Sequence, residues 1–195
     1  TLYSGSDDRT VRLWSGETGD HIMTLEGHDH WVKALAVNSV HLFTGSADKT
    51  IRVWECATGN LVRIFQANSG VWALTLDAHD HLYSGHDDGV IRVWSASTHT
   101  LLRSLEGHTE PVGALVVAPD GTLYSGSDDA TIRAWSGADG ALLRTLEHHT
   151  SQIFSLAMAP NGTLFSGSRS ILVSRRLEGS PVTHEVNLRE AFGLS

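Results

Sequence analysis

The feature that most constrains this chain is a repeat about forty residues long. Trp14, Trp54, Trp94 and Trp135 are spaced 40, 40 and 41 residues apart. The Ser-Gly or Thr-Gly pairs ending at Gly5, Gly45, Gly85, Gly126 and Gly167 keep step at 40, 40, 41 and 41. Two independent markers with one period mean that a single supersecondary unit recurs. A unit of that size cannot hide its apolar faces alone and must stack against its neighbours.

The segments SGSDDRTVRLW (4–14), TGSADKTIRVW (44–54), SGHDDGVIRVW (84–94) and SGSDDATIRAW (125–135) are copies of one another, and SGSRSILVSRR (166–176) is a worn fifth copy. Complete copies are flanked upstream by VKALAV, VWALTL and VGALVV, the worn copy by IFSLAM. Downstream lie stretches such as HIMTLEGH, LVRIFQAN, LLRSLEGH and LLRTLEHH. These runs are short, lack helical periodicity and are bounded by Gly, Asp, Asn or Thr, so each repeat reads as four strands. The Asp-Gly, Asn-Gly and Thr-Gly pairs in PDGTL, PNGTL, ETGD and ATGN supply hairpin turns. A small antiparallel sheet that is apolar on both faces is buried by radial stacking, which predicts an all-β propeller architecture. The expected units are 1–25 (partial), 26–65, 66–105, 106–146 and 147–186 (degenerate), with 187–195 as a tail.

The Gly-His pairs at 27–28 and 107–108, each followed about 26 residues later by Trp, resemble the WD-repeat β-propeller family over roughly residues 1–177. Where that family usually has Asp after the Trp, this chain has Ser15, Glu55, Ser95 and Ser136. Members more often have about seven blades, so five repeats are expected to be an incomplete arc or a fragment, able to self-associate if the ring is open. The resemblance implies a protein-interaction scaffold without catalysis, metal or cofactor.

Recurring His, Asp and Ser also spell the vocabulary of a hydrolase. The resemblance assigns them instead to a structural network: His28, Thr44, Asp48 and Trp54 in one repeat, His108, Ser125, Asp129 and Trp135 in another. The third repeat has Asn68 in the His place and keeps Ser84, Asp88 and Trp94; the first keeps Ser4, Asp8 and Trp14. The fifth keeps His149 and Ser166, with Ser170 and Arg176 in the Asp and Trp places. The twelve histidines, including the pairs His28/His30, His79/His81 and His148/His149, lack the spacing of a zinc site. Arg12, Arg52, Arg92 and Arg133, two residues before each Trp, are expected to pack their stems and send their heads to the outer rim.

Partners in this family usually bind the face that carries the turns before the network Asp and the loops leading into the innermost strand. The candidates there are Asp7, Trp31, Trp72, Asp87, Glu110 and Asp128, with Ala47, Arg169, Asp29 and Gln152 beside them. Two readings stand side by side. One is an acidic face with an aromatic anchor at Trp31, suited to basic proteins or peptides; the other is a solvated acidic surface with Trp31 tucked against the neighbouring blade. A net charge of -8 argues against nucleic acid, whose binding needs phosphate neutralisation by Lys and Arg. No run approaches the ~18 apolar residues of a membrane span, and no leader pattern opens the chain. The single cysteine, Cys56, fits a reducing compartment, hence an intracellular protein, cytoplasmic or nuclear. The alternative is a substrate-recruiting module of a larger enzyme such as a ubiquitin ligase or protein kinase. The arginine that some cullin-linked propellers carry three places after the Trp-Asp pair is replaced here by Glu17, Ala57, Ser97 and Ala138.

Overall fold

The computed structural model describes residues 1–168 together with the backbone of two further strands, Leu172–Arg176 and His184–Val186. The strands form five sheets, and within each sheet consecutive strands pair antiparallel. The first sheet has three strands, β1 (Leu2–Gly5), β2 (Val11–Trp14) and β3 (His21–Leu25). The second has four, β4 (Val32–Val37), β5 (His41–Ser46), β6 (Thr50–Glu55) and β7 (Leu61–Gln66). The third repeats the plan with β8 (Val71–Leu76), β9 (His81–His86), β10 (Ile91–Ser95) and β11 (Leu101–Leu105). The fourth holds β12 (Val112–Val117), β13 (Leu123–Ser127), β14 (Ile132–Trp135) and β15 (Leu142–Leu146). The fifth holds β16 (Ile153–Met158), β17 (Thr163–Ser168), β18 (Leu172–Arg176) and β19 (His184–Val186).

Successive first strands β4, β8, β12 and β16 lie side by side, so the sheets are blades arranged around a common axis, with β1 next to β4. The sheets do not close into a ring among the described residues; they form an arc. No helix among these residues is long and apolar enough to cross a membrane.

The apolar residues fall into four clusters, one in each seam between blades. Val11, Leu13 and Leu25 of the first blade meet Val32, Leu42 and Trp54 of the second. Phe43, Ile51, Val53 and Phe65 meet Val71, Leu82 and Trp94. Tyr83, Ile91, Val93 and Leu105 meet Val112, Leu123 and Trp135. Tyr124, Ile132 and Ala134 meet Ile153 and Leu164. Trp54, Trp94 and Trp135 therefore each belong to the seam on the side of the preceding blade. Burying one large apolar side chain contributes roughly 1.5–3 kcal/mol, so stability is spread over the seams rather than gathered in one core. The glycines at 5, 45, 85 and 126 follow from the same stacking: a Cβ at Gly126 would lie 2.6 Å from Ile153 Cγ2 of the next blade, and one at Gly45 would run into Val71.

One irregularity recurs where function could reside. The pairing of each innermost strand slips between Val32 and Ala34, Val71 and Ala73, Val112 and Ala114, and Ile153 and Ser155. The skipped residues are Lys33, Trp72, Gly113 and Phe154. A bulge of this kind re-aims a side chain away from the regular pleat. These four residues border an open cavity of about 310 Å³ between the innermost strands.

Candidate functional site

In the second blade, His28 Nδ1 lies 2.7 Å from Asp48 Oδ2, and its Nε2 lies 2.7 Å from Thr44 Oγ1. Trp54 Nε1 donates to the same hydroxyl at 2.9 Å. The carboxylate can only accept, so Nδ1 carries the proton, Nε2 accepts from the hydroxyl, and the hydroxyl accepts from the indole. Asp48 also takes the Asp29 N–H at 3.0 Å and, on Oδ1, the Thr50 N–H at 2.9 Å and hydroxyl at 2.6 Å. Burial pushes its carboxyl up, but the hydrogen bonds from His28, Thr50 and the Asp29 amide outweigh that and hold it well below the usual range.

The fourth blade repeats this geometry. His108 Nδ1 is 2.7 Å from Asp129 Oδ2, its Nε2 is 2.7 Å from Ser125 Oγ, and Trp135 Nε1 donates to that hydroxyl at 2.8 Å. Burial pulls His108 below its ordinary value against the opposing pull of Asp129, so the imidazole favours its neutral form. In both sets the hydroxyl points its proton at the imidazole, as in a triad, but it is buried beneath the blade seam. A triad nucleophile must instead face an open pocket.

The third blade reaches the same end by another route. Ala67 stands in the place of Gly27 and Gly107, whose φ angles of 145° and 156° an alanine does not readily adopt. Its loop is one residue shorter than the others and carries Asn68, exposed and at φ 63°, in the His place, so no imidazole comes from that loop. His86, in the column occupied by Ser46 and Ser127, supplies one from within β9. Its Nε2 is 2.7 Å from Ser84 Oγ, to which Trp94 Nε1 donates at 2.8 Å. The amide of Asp88, matching those of Asp48 and Asp129 that donate to Ser46 and Ser127, donates to Ser69 Oγ at 3.2 Å. Histidine and serine have exchanged places.

The arginines follow the same logic, and they differ from the rim placement expected of them. A Cβ at Gly27 would stand 2.5 Å from Arg52 Nη1, and one at Gly107 would collide with Arg133, so both heads lie against the loop glycines. At Ala67 that space holds a methyl group. Arg92 turns instead to Asp88, with Nη2 2.7 Å from Oδ2, and takes the role that histidine plays for Asp48. In the first blade Arg12 Nη2 reaches Asp8 Oδ2 at 3.1 Å, Thr10 donates to Asp8 Oδ1 through its amide and hydroxyl, and Trp14 Nε1 donates to Ser4 at 2.8 Å. In the fifth blade His149 Nε2 is 2.7 Å from Ser166 Oγ, while its Nδ1 is buried without a hydrogen-bond partner among the described residues. Arg169, Ser170, the side chain of Arg176 and the tail 187–195 lie outside the described residues.

The interaction candidates follow one another from blade to blade along the arc, but their charges are not equally free. Asp7 is paired with Lys33, whose Nζ lies 2.7 Å from its Oδ1. Asp87 accepts the Trp72 Nε1–H. Asp128 accepts from Gln152 Nε2 at 3.0 Å, and burial, Glu110 and Asp129 raise its carboxyl above the ordinary value. Trp31 is 42% exposed with its ring edge to His30, so it is not tucked into a blade seam. Lys33 and His86 were not singled out in the sequence, although each breaks its column: Lys33 is the one charge among VKALAV, VWALTL, VGALVV and IFSLAM, and His86 the one imidazole among serines. Among the described residues no group of three or more His, Cys, Asp or Glu is placed to hold a metal ion.

The chain matches the family model described as "WD domain, G-beta repeat" over residues 1–15, 19–55, 59–95, 99–136 and 140–171. It is 57% identical over 35 residues to the nuclear distribution protein PAC1 of Coprinopsis cinerea, an alignment covering 18% of this chain and 8% of that protein. The crystal structure of the WD40 β-propeller domain of Doa1 superposes with a TM-score of 0.79 at 30% identity, covering 85% of this chain and 56% of that one. The chain thus spans about half of the solved propeller chain and a small part of the curated relative. With five repeats of matching sequence, strand order and seam packing, it belongs to the WD-repeat family of β-propellers.

Proposed function

We propose that this chain is a non-catalytic interaction scaffold that takes a basic protein segment across the loops bearing Asp87, Glu110 and Asp128. The observation that carries this reading is the crowding of like charge there. Glu110 and Asp129 both push the Asp128 carboxyl up, and the Asp87–Gly89 turn sits against the loop of residues 108–110, where a Cβ at Gly89 would lie 3.2 Å from the Glu110 carbonyl. Carboxylates held close together repel, and a partner's lysine or arginine relieves that repulsion on binding. Asp7 contributes less than its exposure suggests, because Lys33 neutralises it.

The test is titration of a Lys/Arg-rich peptide into the wild type and into Asp87→Asn/Glu110→Gln/Asp128→Asn, at low and at physiological salt. Asparagine at 87 keeps an acceptor for Trp72. Affinity for the wild type should fall as salt rises and the Debye length contracts to ~8 Å. The variant should bind more weakly and lose most of the salt dependence. Trp31→Ala should add a loss that salt does not change. Equal affinities for wild type and triple variant would remove the acidic cluster from the binding surface.

A further inference from the structure

The ammonium of Lys33 is enclosed by three groups from three blades. Asp7, on the turn between β1 and β2, lies 2.7 Å from Nζ. The ring centroid of Trp31, in the loop before β4, is 4.5 Å away, and that of Trp72, in β8, is 5.6 Å away. Trp72 is fixed by donating its indole N–H to Asp87, and Asp87 is fitted so closely over Gly70 that a Cβ there would collide with its carboxylate. Lys33 and Trp72 are both bulge residues, which turns them out of their sheets toward the mouth of the cavity. A carboxylate with two indoles is a combination that recognises an organic cation, because each ring presents its negative quadrupole to the charge and the carboxylate supplies the opposite charge.

We propose that Asp7, Trp31 and Trp72 form a seat for the side-chain ammonium of a lysine on a partner protein, and that Lys33 is its resident internal occupant. The occupant defines the ligand: the box already accommodates an ammonium on a four-carbon stem. The seat is accessible, since the Lys33 side chain is 24% exposed and that of Asp7 64%. A partner's lysine enters only when Lys33 swings out, so the internal ligand lowers the apparent affinity by the fraction of time the seat is filled. The proposal rests on the reading of these blade loops as a surface for basic partners, and it concerns a different part of that surface from the Asp87/Glu110/Asp128 cluster.

The probe is n-butylammonium, the side chain's own chemistry, with 1-butanol as the uncharged control. Binding is followed by tryptophan fluorescence and calorimetry in the wild type and in Lys33→Ala, with near-ultraviolet circular dichroism confirming that both are folded. Lys33→Ala should bind butylammonium at least about tenfold more tightly than the wild type and should ignore butanol. Adding Asp7→Asn or Trp72→Phe to Lys33→Ala should weaken that binding. No gain in Lys33→Ala, or equal binding by both proteins, would overturn the proposal and make Lys33 a strut between blades. Butylammonium binding without peptide binding would leave the seat standing and remove the acidic-cluster reading; the reverse result would do the opposite.

Discussion

His86 Nε2 stands 2.7 Å from the hydroxyl of Ser84, so the third blade keeps a chain of imidazole, hydroxyl and indole although its loop carries no histidine. The imidazole arrives from β9 instead of from the connection before β8, and the hydroxyl cannot tell the difference. A donor buried beneath a blade seam needs an acceptor, and any side chain that delivers one in the right geometry meets the need.

The two kinds of Asp should therefore differ in their contribution to stability. Asp129→Ala removes a carboxylate only 8% exposed and strands His108 Nδ1–H and the Thr131 hydroxyl and amide; it should cost about 1–3 kcal/mol. Asp88→Ala removes a carboxylate 38% exposed and held mainly by Arg92, and should cost less than about 1 kcal/mol. Urea unfolding of the two variants gives the ranking, and equal costs would contradict it.

Burial drives His86 from its ordinary 6.5 down to about 4, with the Arg92 charge pushing the same way, so the folded chain holds it neutral. Between those values the unfolded chain takes up a proton that the folded chain refuses. This contribution to stability is complete above pH 6.5 and falls as the pH drops toward 4, by up to about 3 kcal/mol. Replacing His86 with Asn should flatten the pH dependence of the urea midpoint in that window relative to the wild type. Parallel profiles would mean that His86 is not the group that titrates.

In the first sheet β1 pairs with β2 on one side only, leaving the other edge of β1 unpaired among the described residues. An unpaired edge beside apolar seams favours association with another chain. The 195-residue chain should show a sedimentation coefficient that rises with concentration. A single sharp monomer boundary across the range would show that the edge is protected.

The repeat by itself determined the blades, their strand order and the columns of glycine and tryptophan. Stacking gives each copy the same neighbours, so Gly126 against Ile153 and Trp135 in the preceding seam are requirements that recur with the period. The same regularity hid what is particular to this chain. Which residue completes the third network was decided at the loop before β8, which carries Asn68 in the His place and is one residue shorter than its counterparts; Arg92 there pairs with Asp88 and His86 reaches Ser84 from β9. Nor does the sequence pattern show that Asp7 is neutralised, because Lys33 is 26 residues away along the chain and meets it only when two blades stack. Side chains whose neighbours recur in every copy are legible in the period; those whose partners differ from blade to blade are fixed only once the blades are packed.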